Sequence, residues 1–127
     1  MTKGDDGGRA ARRELLTAIS NPAPWHDYRV CWSGTLSDGR TLTVEYVPDR
    51  LVLAPETFAA YLESLEAGRW PTLEALVMAM LDDLNNQLVP RWVRVSGSQP
   101  QGAIRHHVTV NDRQPGWDNP GLLAAPG

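Results

Sequence analysis

Apolar residues recur along this chain with two different periods, and the switch between them marks its elements. From Tyr28 to Leu36 the pattern alternates, with Tyr28, Val30 and Trp32 on one face, which predicts a strand. Ser37-Asp38-Gly39-Arg40 reads as a tight turn, because Asp-Gly accepts the positive φ angles of a short hairpin. Thr41–Val47, rich in β-branched residues, is the return strand. The period then lengthens. Pro55 suits the first position of a helix, Phe58, Leu62 and Leu65 give that helix a stripe, and Gly68 closes it. Thr72 is an N-cap for the next helix, in which Leu73, Leu76, Val77, Met80, Leu81, Leu84 and Leu88 recur at helical spacing until Pro90. Alternation returns at Trp92–Val95 and Ile104–Val110, with a Gly/Pro/Ser/Gln loop expected at 96–102.

Outside this block the signals are weaker. Residues 1–8 are polar and Gly/Asp-rich and are expected to be disordered; Arg9–Ile19 predicts a short helix stopped by Asn21-Pro22-Ala23-Pro24. The expected organisation is a flexible N-terminal segment over 1–24, one domain over 25–112, and an extended tail over 113–127. A chain of 127 residues supports one modest core. Its net charge of −3 gives no general attraction to nucleic acid, and no apolar run approaches the ~20 residues that span a bilayer. Cys31 is the single cysteine, so no internal disulfide forms, and a cytoplasmic location is the expectation.

The order ββ-αα-ββ is unusual, and particular residues go with it: Glu45-Tyr46-Val47-Pro48-Asp49, Tyr61-Leu62, Asp83-Leu84, Pro90-Arg91-Trp92 and Pro100-Gln101-Gly102-Ala103-Ile104. In that order and at that spacing the chain resembles the 7-cyano-7-deazaguanine reductases, nitrile reductases of queuosine biosynthesis. It also resembles their shorter archaeal relatives, the amidinotransferases acting on the same base in transfer RNA. The likeness runs from about Asp27 to Val110, roughly two thirds of the chain. It implies an α+β tunnelling fold: a four-stranded antiparallel sheet with two helices on one face. Open sheet edges then imply closure of several copies into a β-barrel. The implied ligand is a small heterocycle, a purine-, deazapurine- or pterin-like ring bound between subunits. The implied partners are further copies of the chain; from charge and hydropathy, neither a membrane nor a nucleic acid is expected as a partner.

The resemblance also names candidate chemistry. In the reductases a cysteine attacks the nitrile carbon and an aspartate seven residues later moves protons; Cys31 and Asp38 keep that spacing. The family has proline after its cysteine, whereas Trp32 follows here, so a second alignment leaves Cys31 inside a strand and Asp38 as a plain turn residue. Glu74 matches the glutamate that anchors the ring, and a carboxylate suits the paired N–H donors of a guanine-like edge. A glutamate in a first helical turn is equally a favourable helix residue. The family's histidine before that glutamate is Leu73 here. The reductases' Glu-Ser-Lys-Ser-Leu-Lys signature, which serves NADPH and substrate, is matched by Ala54-Pro55-Glu56-Thr57-Phe58-Ala59. Glu56 is thus a second substrate-binding candidate, but both lysines are gone, and no cofactor is expected.

His106 and His107 are adjacent on a strand and point to opposite faces, so they cannot share one metal; no metal site is assigned. Asp82 and Asp83 read as a solvated helix face, and the tryptophans as packing residues. Two functional readings follow. One is an enzyme on a deazapurine, purine or pterin-like ring, with a reaction other than NADPH-dependent nitrile reduction. The other is a non-catalytic ring-binding or structural subunit.

Overall fold

The computed structural model describes residues 3–125, with side chains from residue 8 onward. The elements run α1 (Lys3–Leu15), β1 (Ala18–Ser20), β2 (Val30–Thr35), β3 (Thr41–Val47), β4 (Leu51–Leu53), α2 (Thr57–Ala67), α3 (Leu73–Leu88), β5 (Trp92–Gln101), β6 (Ile104–Arg113) and α4 (Pro120–Ala124). The main sheet is antiparallel with strand order β2-β3-β5-β6, and β1 and β4 pair in a small second sheet. The fold is α+β with the expected four-stranded antiparallel sheet; α3 lies over β5 and β6, α2 touches β2, and α1, which the expected two-helix layer did not include, packs against both α2 and α3.

Local chemistry explains the best-defined elements. The β2–β3 hairpin closes through Leu36 N–H to Arg40 O at 2.8 Å and Gly39 N–H to Leu36 O at 3.0 Å. Gly39 takes φ +94°, a value that favours glycine, and Asp38 Oδ1 accepts from the Arg40 backbone N–H at 3.1 Å. Thr72 caps α3, its Oγ1 accepting from Ala75 N–H at 3.0 Å. That helix ends at Val89, whose left-handed φ of 44° turns the chain before Pro90.

Leu42, Val44, Tyr46 and Val95 point from the sheet into the core and meet Leu76, Val77 and Met80 of α3, all fully buried. The helix lies across β5 and β6. Its N-terminal half comes so close to β5 that a Cβ on Gly97 would meet Val77 Cγ2 at 2.8 Å and Leu73 Cδ1 at 3.1 Å. The sheet's other face carries polar positions such as Cys31, Thr43, Glu45, Arg94 and Thr109.

Several elements depart from the sequence expectations. The expected loop at 96–102 is strand: β5 and β6 pair from Trp92↔Arg113 to Gln101↔Ile104, leaving Gly102-Ala103 as the turn, with Gly102 at φ +64°. Mutual pairing of two ten-residue strands overrides the Gly/Ser/Pro composition. The N-terminal helix covers Lys3–Leu15 rather than Arg9–Ile19, and Ala18–Ser20 instead pairs with Leu53–Leu51. The expectation for residues 1 and 2 lies outside the described residues. The tail contains α4 and is tied back: Trp117 Nε1 and Asn119 Nδ2 both donate to Asp27 Oδ2, and Arg29 donates to Ala125 O. Asp83, read as solvated, is fully buried.

Candidate functional site

Glu74 stands in the first turn of α3 with its side chain 54% exposed. Its Oε2 lies 3.2 Å from His106 Nε2, on β6. His106 reaches it because alternation along β6 turns His106, Val108 and Val110 towards the helices. The Glu74 carboxyl is held below its ordinary value by its own backbone N–H first, and further by His106. An ionised carboxylate therefore sits at a helix start, partly open to solvent, with one imidazole against one of its oxygens.

Cys31 occupies the other edge and the other face. It lies in β2, directly opposite Glu45 of β3, with its thiol exposed on the sheet face away from the helices. Glu45 accepts from Arg94 Nη2 at 2.7 Å and Nε at 3.0 Å, and pairs with Arg29 at 3.5 Å. Arg94 also stacks over the Trp92 ring at 5.2 Å. Desolvation, and then the Glu45 charge, push the Cys31 thiol above its ordinary value against the opposing pull of Arg29 and Arg94.

Asp38 is at the tip of the β2–β3 hairpin, five strand steps and more from Cys31, or roughly 16 Å at the usual strand rise. Its carboxylate pairs with Arg40 at 2.8 Å. Desolvation acts upward on it, but the Arg40 side chain and backbone draw it below the ordinary value. Within one chain, then, Cys31 meets Glu45 and not Asp38, and Glu74 meets His106 and not Cys31. Glu45 and Arg94 were not singled out as site residues from the sequence; the fourteen-residue spacing from Cys31 to Glu45 is the signal that places them opposite each other across the hairpin.

Glu56 precedes α2 at its N-cap without a side-chain capping bond, and it is exposed. Around it, Thr57 Oγ1 donates to Ala54 O, Phe58 is buried, and no lysine or arginine occurs from Ala54 to Ala59. A recess of about 260 Å³ lined by Asp49, Arg50, Leu51, Leu88 and Val89 lies at the opposite end of α3 from Glu74, roughly 20 Å along the helix. It is not part of the Glu74 site. Among the described residues no group of three or more His, Cys, Asp or Glu is placed to hold a metal. No helix among them is long and apolar enough to cross a membrane.

Comparison with known proteins bears on this geometry. Residues 38–117 match a family model described as QueF-like protein. The NADPH-dependent 7-cyano-7-deazaguanine reductase of Nitrosococcus oceani is 32% identical over 126 residues, covering 90% of this chain and 95% of that one. The protein of the same name from Acidithiobacillus ferrooxidans is 30% identical over 120 residues, covering 85% and 84%. Among solved structures, the apo archaeosine synthase QueF-Like superposes with a TM-score of 0.49 at 18% identity, over 68% of this chain and 90% of that one.

Proposed function

The chain belongs to the QueF-like protein family, and from that premise we propose that it binds a purine-, deazapurine- or pterin-like ring between copies of itself, with Glu74 as the anchor. The observation that carries this is the Glu74 carboxylate: ionised, partly open and fixed at the start of α3. Two oxygens of one carboxylate can accept the ring N–H and the exocyclic amine of a guanine-like edge together. The names of the curated relatives support a deazaguanine among such rings.

The reaction is proposed to differ from NADPH-dependent nitrile reduction. The Ala54–Ala59 segment offers no cation to a dinucleotide phosphate. A non-catalytic ring-binding or structural subunit is the second reading. The separation of Cys31 from Asp38, together with the raised thiol, favours it.

Calorimetric titration with guanine, 7-cyano-7-deazaguanine and pterin tests the anchor. Glu74→Gln replaces one acceptor by a donor and is expected to weaken binding by about 1.5–3 kcal/mol, roughly ten- to a hundredfold. Equal affinity for wild type and Glu74→Gln would remove Glu74 from the site. Micromolar NADPH binding accompanied by reduction of the nitrile would overturn the proposed change of reaction.

A further inference from the structure

We propose that His106 is a positioning residue for the Glu74 carboxylate, holding one of its oxygens so that the carboxylate meets a ring edge in a fixed plane. This rests on the reading of Glu74 as the ring anchor. Leu73 leaves no imidazole beside Glu74 in sequence; the fold supplies one from a strand 32 residues further on.

Three features make the contact more than a passing surface pair. An ionised carboxylate only accepts hydrogen bonds, so the His106 Nε2 that faces it carries the proton and donates. That fixes which ring nitrogen is protonated towards Glu74. Next, His106 is restrained by its strand: Gln99 is its register partner on β5, and Val108 and Val110, on the same face, pack against the core. Last, α3 comes down on β5 at Gly97, whose register partner is Val108. The helix start is thereby seated next to the part of β6 that carries His106.

A glutamate side chain free in solution samples many rotamers, and ordering it on binding opposes affinity. A donor already seated on Oε2 removes part of that freedom and leaves Oε1 and the second lone pair of Oε2 for a ligand. His106 is then not a catalytic residue. It acts through Glu74, and a neutral donor of similar reach should do the same work.

The test uses the full chain, the same three heterocycles as probes, and four proteins: wild type, Glu74→Gln, His106→Leu and His106→Gln. Melting curves establish that each variant is folded; His106 is only partly buried and outside the core, so His106→Leu is expected to fold. His106→Leu should weaken ring binding by roughly tenfold, and His106→Gln, whose amide N–H can reach Oε2, should restore it to within about twofold. A merely structural histidine would not be rescued selectively in affinity at unchanged melting temperature. Wild-type affinity in His106→Leu, with binding lost in Glu74→Gln, overturns the positioning role and leaves the anchor standing. Equal loss in His106→Leu and His106→Gln also overturns it, because the imidazole itself would then be required. If wild type binds none of the probes, or Glu74→Gln binds them unchanged, the anchor fails and the positioning role falls with it.

Discussion

The phenol of Tyr61 donates to Asp83 Oδ2 at 2.7 Å, and both residues are fully buried. Arg12 Nε donates to the same oxygen at 2.9 Å and Arg13 Nε to the other at 2.9 Å. Arg12 also lies over the Trp70 ring at 5.2 Å. One carboxylate on α3 thus gathers the last turn of α1 and a tyrosine of α2. Gln87 adds two further ties, donating to the backbone oxygens of Arg13 and Leu16.

Removing that carboxylate leaves two guanidinium groups and a phenol without their partner in a largely dry site. Asp83→Ala is therefore expected to lower unfolding stability by about 3–5 kcal/mol, as breaking a buried ion pair from one side does. Urea unfolding followed by tryptophan fluorescence measures it. Hydrogen exchange should show α1 opening first. A loss below about 1 kcal/mol would mean that α1 is held by apolar contact and the Gln87 hydrogen bonds rather than by the Asp83 carboxylate.

The same cluster sets an alkaline limit. Burial first, and then the Asp83 charge, hold the Tyr61 phenol well above its ordinary value, so the fold favours its neutral form. A group raised in the folded state contributes stability that is complete below its unfolded value of about 10 and is lost as pH climbs towards the folded one. Stability should be flat in this respect up to about pH 9 and decline above about pH 10. Tyr61→Phe should cost about 1 kcal/mol at neutral pH through the lost hydrogen bond, and should make the alkaline decline shallower. Tyr46, also raised by burial, retains its own share of that decline. An unchanged alkaline slope in Tyr61→Phe would place the titration elsewhere.

Asp83 also shows where the sequence was legible and where it was not. It lies three residues after Met80 and seven after Leu76, so the helical period puts it on the buried stripe; its charge alone suggested solvent. The Thr72 cap and the Asp38-Gly39 turn were readable because each is decided by neighbours within a few residues. β1 and β4 were not, since three-residue strands carry no period and exist only by pairing across more than thirty positions. The length of β5 was hidden for a similar reason: Gly97, Ser98 and Pro100 are poor strand formers locally and are held by β6. For His106 the alternation gave the correct face, shared with Val108 and Val110, but nothing local pointed to Glu74.

Cys31 faces Glu45, and that neighbour works against a nucleophile. With its thiol raised, Cys31 carries little thiolate at neutral pH and should react slowly. Incubation with 7-cyano-7-deazaguanine followed by intact mass measurement is expected to show no stoichiometric adduct. Glu45→Gln removes the opposing charge and leaves Arg29 and Arg94 near the sulfur, so the pH midpoint of alkylation by iodoacetamide should move down. A stoichiometric adduct in wild type, lost in Cys31→Ala, would restore the nucleophile.

The two edge strands of the main sheet, β2 and β6, have no strand partner on their outer side among the described residues. Each neighbouring pair across the order β2-β3-β5-β6 is antiparallel, so the two edges run in opposite directions. β6 of one copy can therefore continue onto β2 of the next as another antiparallel pair, a head-to-tail contact that forms a closed ring when the rotation per copy closes and an open filament when it does not. A ten-residue open edge is otherwise a liability for aggregation. Sedimentation at micromolar concentration is expected to show a discrete oligomer. A stable monomer would exclude both the barrel and any ring site shared between copies.

The approach of α3 to β5 gives the last prediction, because it links packing to the candidate site. A methyl at Gly97 would meet Val77 Cγ2 at 2.8 Å, Leu73 Cδ1 at 3.1 Å and Leu42 Cδ2 at 3.3 Å. Val77 is β-branched and fully buried on the helix, so it cannot swing aside as the end of a long chain would. Gly97→Ala is expected to shift the helix start away from the sheet, at about 1–3 kcal/mol. The same shift lengthens the 3.2 Å contact between Glu74 and His106, since one residue rides on the helix and the other on the sheet. Urea unfolding should register the loss of stability. The separation should appear as a change in the His106 imidazole nitrogen shifts, matching that produced by Glu74→Gln. If Gly97→Ala loses stability but leaves those shifts at their wild-type values, the sheet rather than the helix has yielded, and the seating of Glu74 does not depend on Gly97.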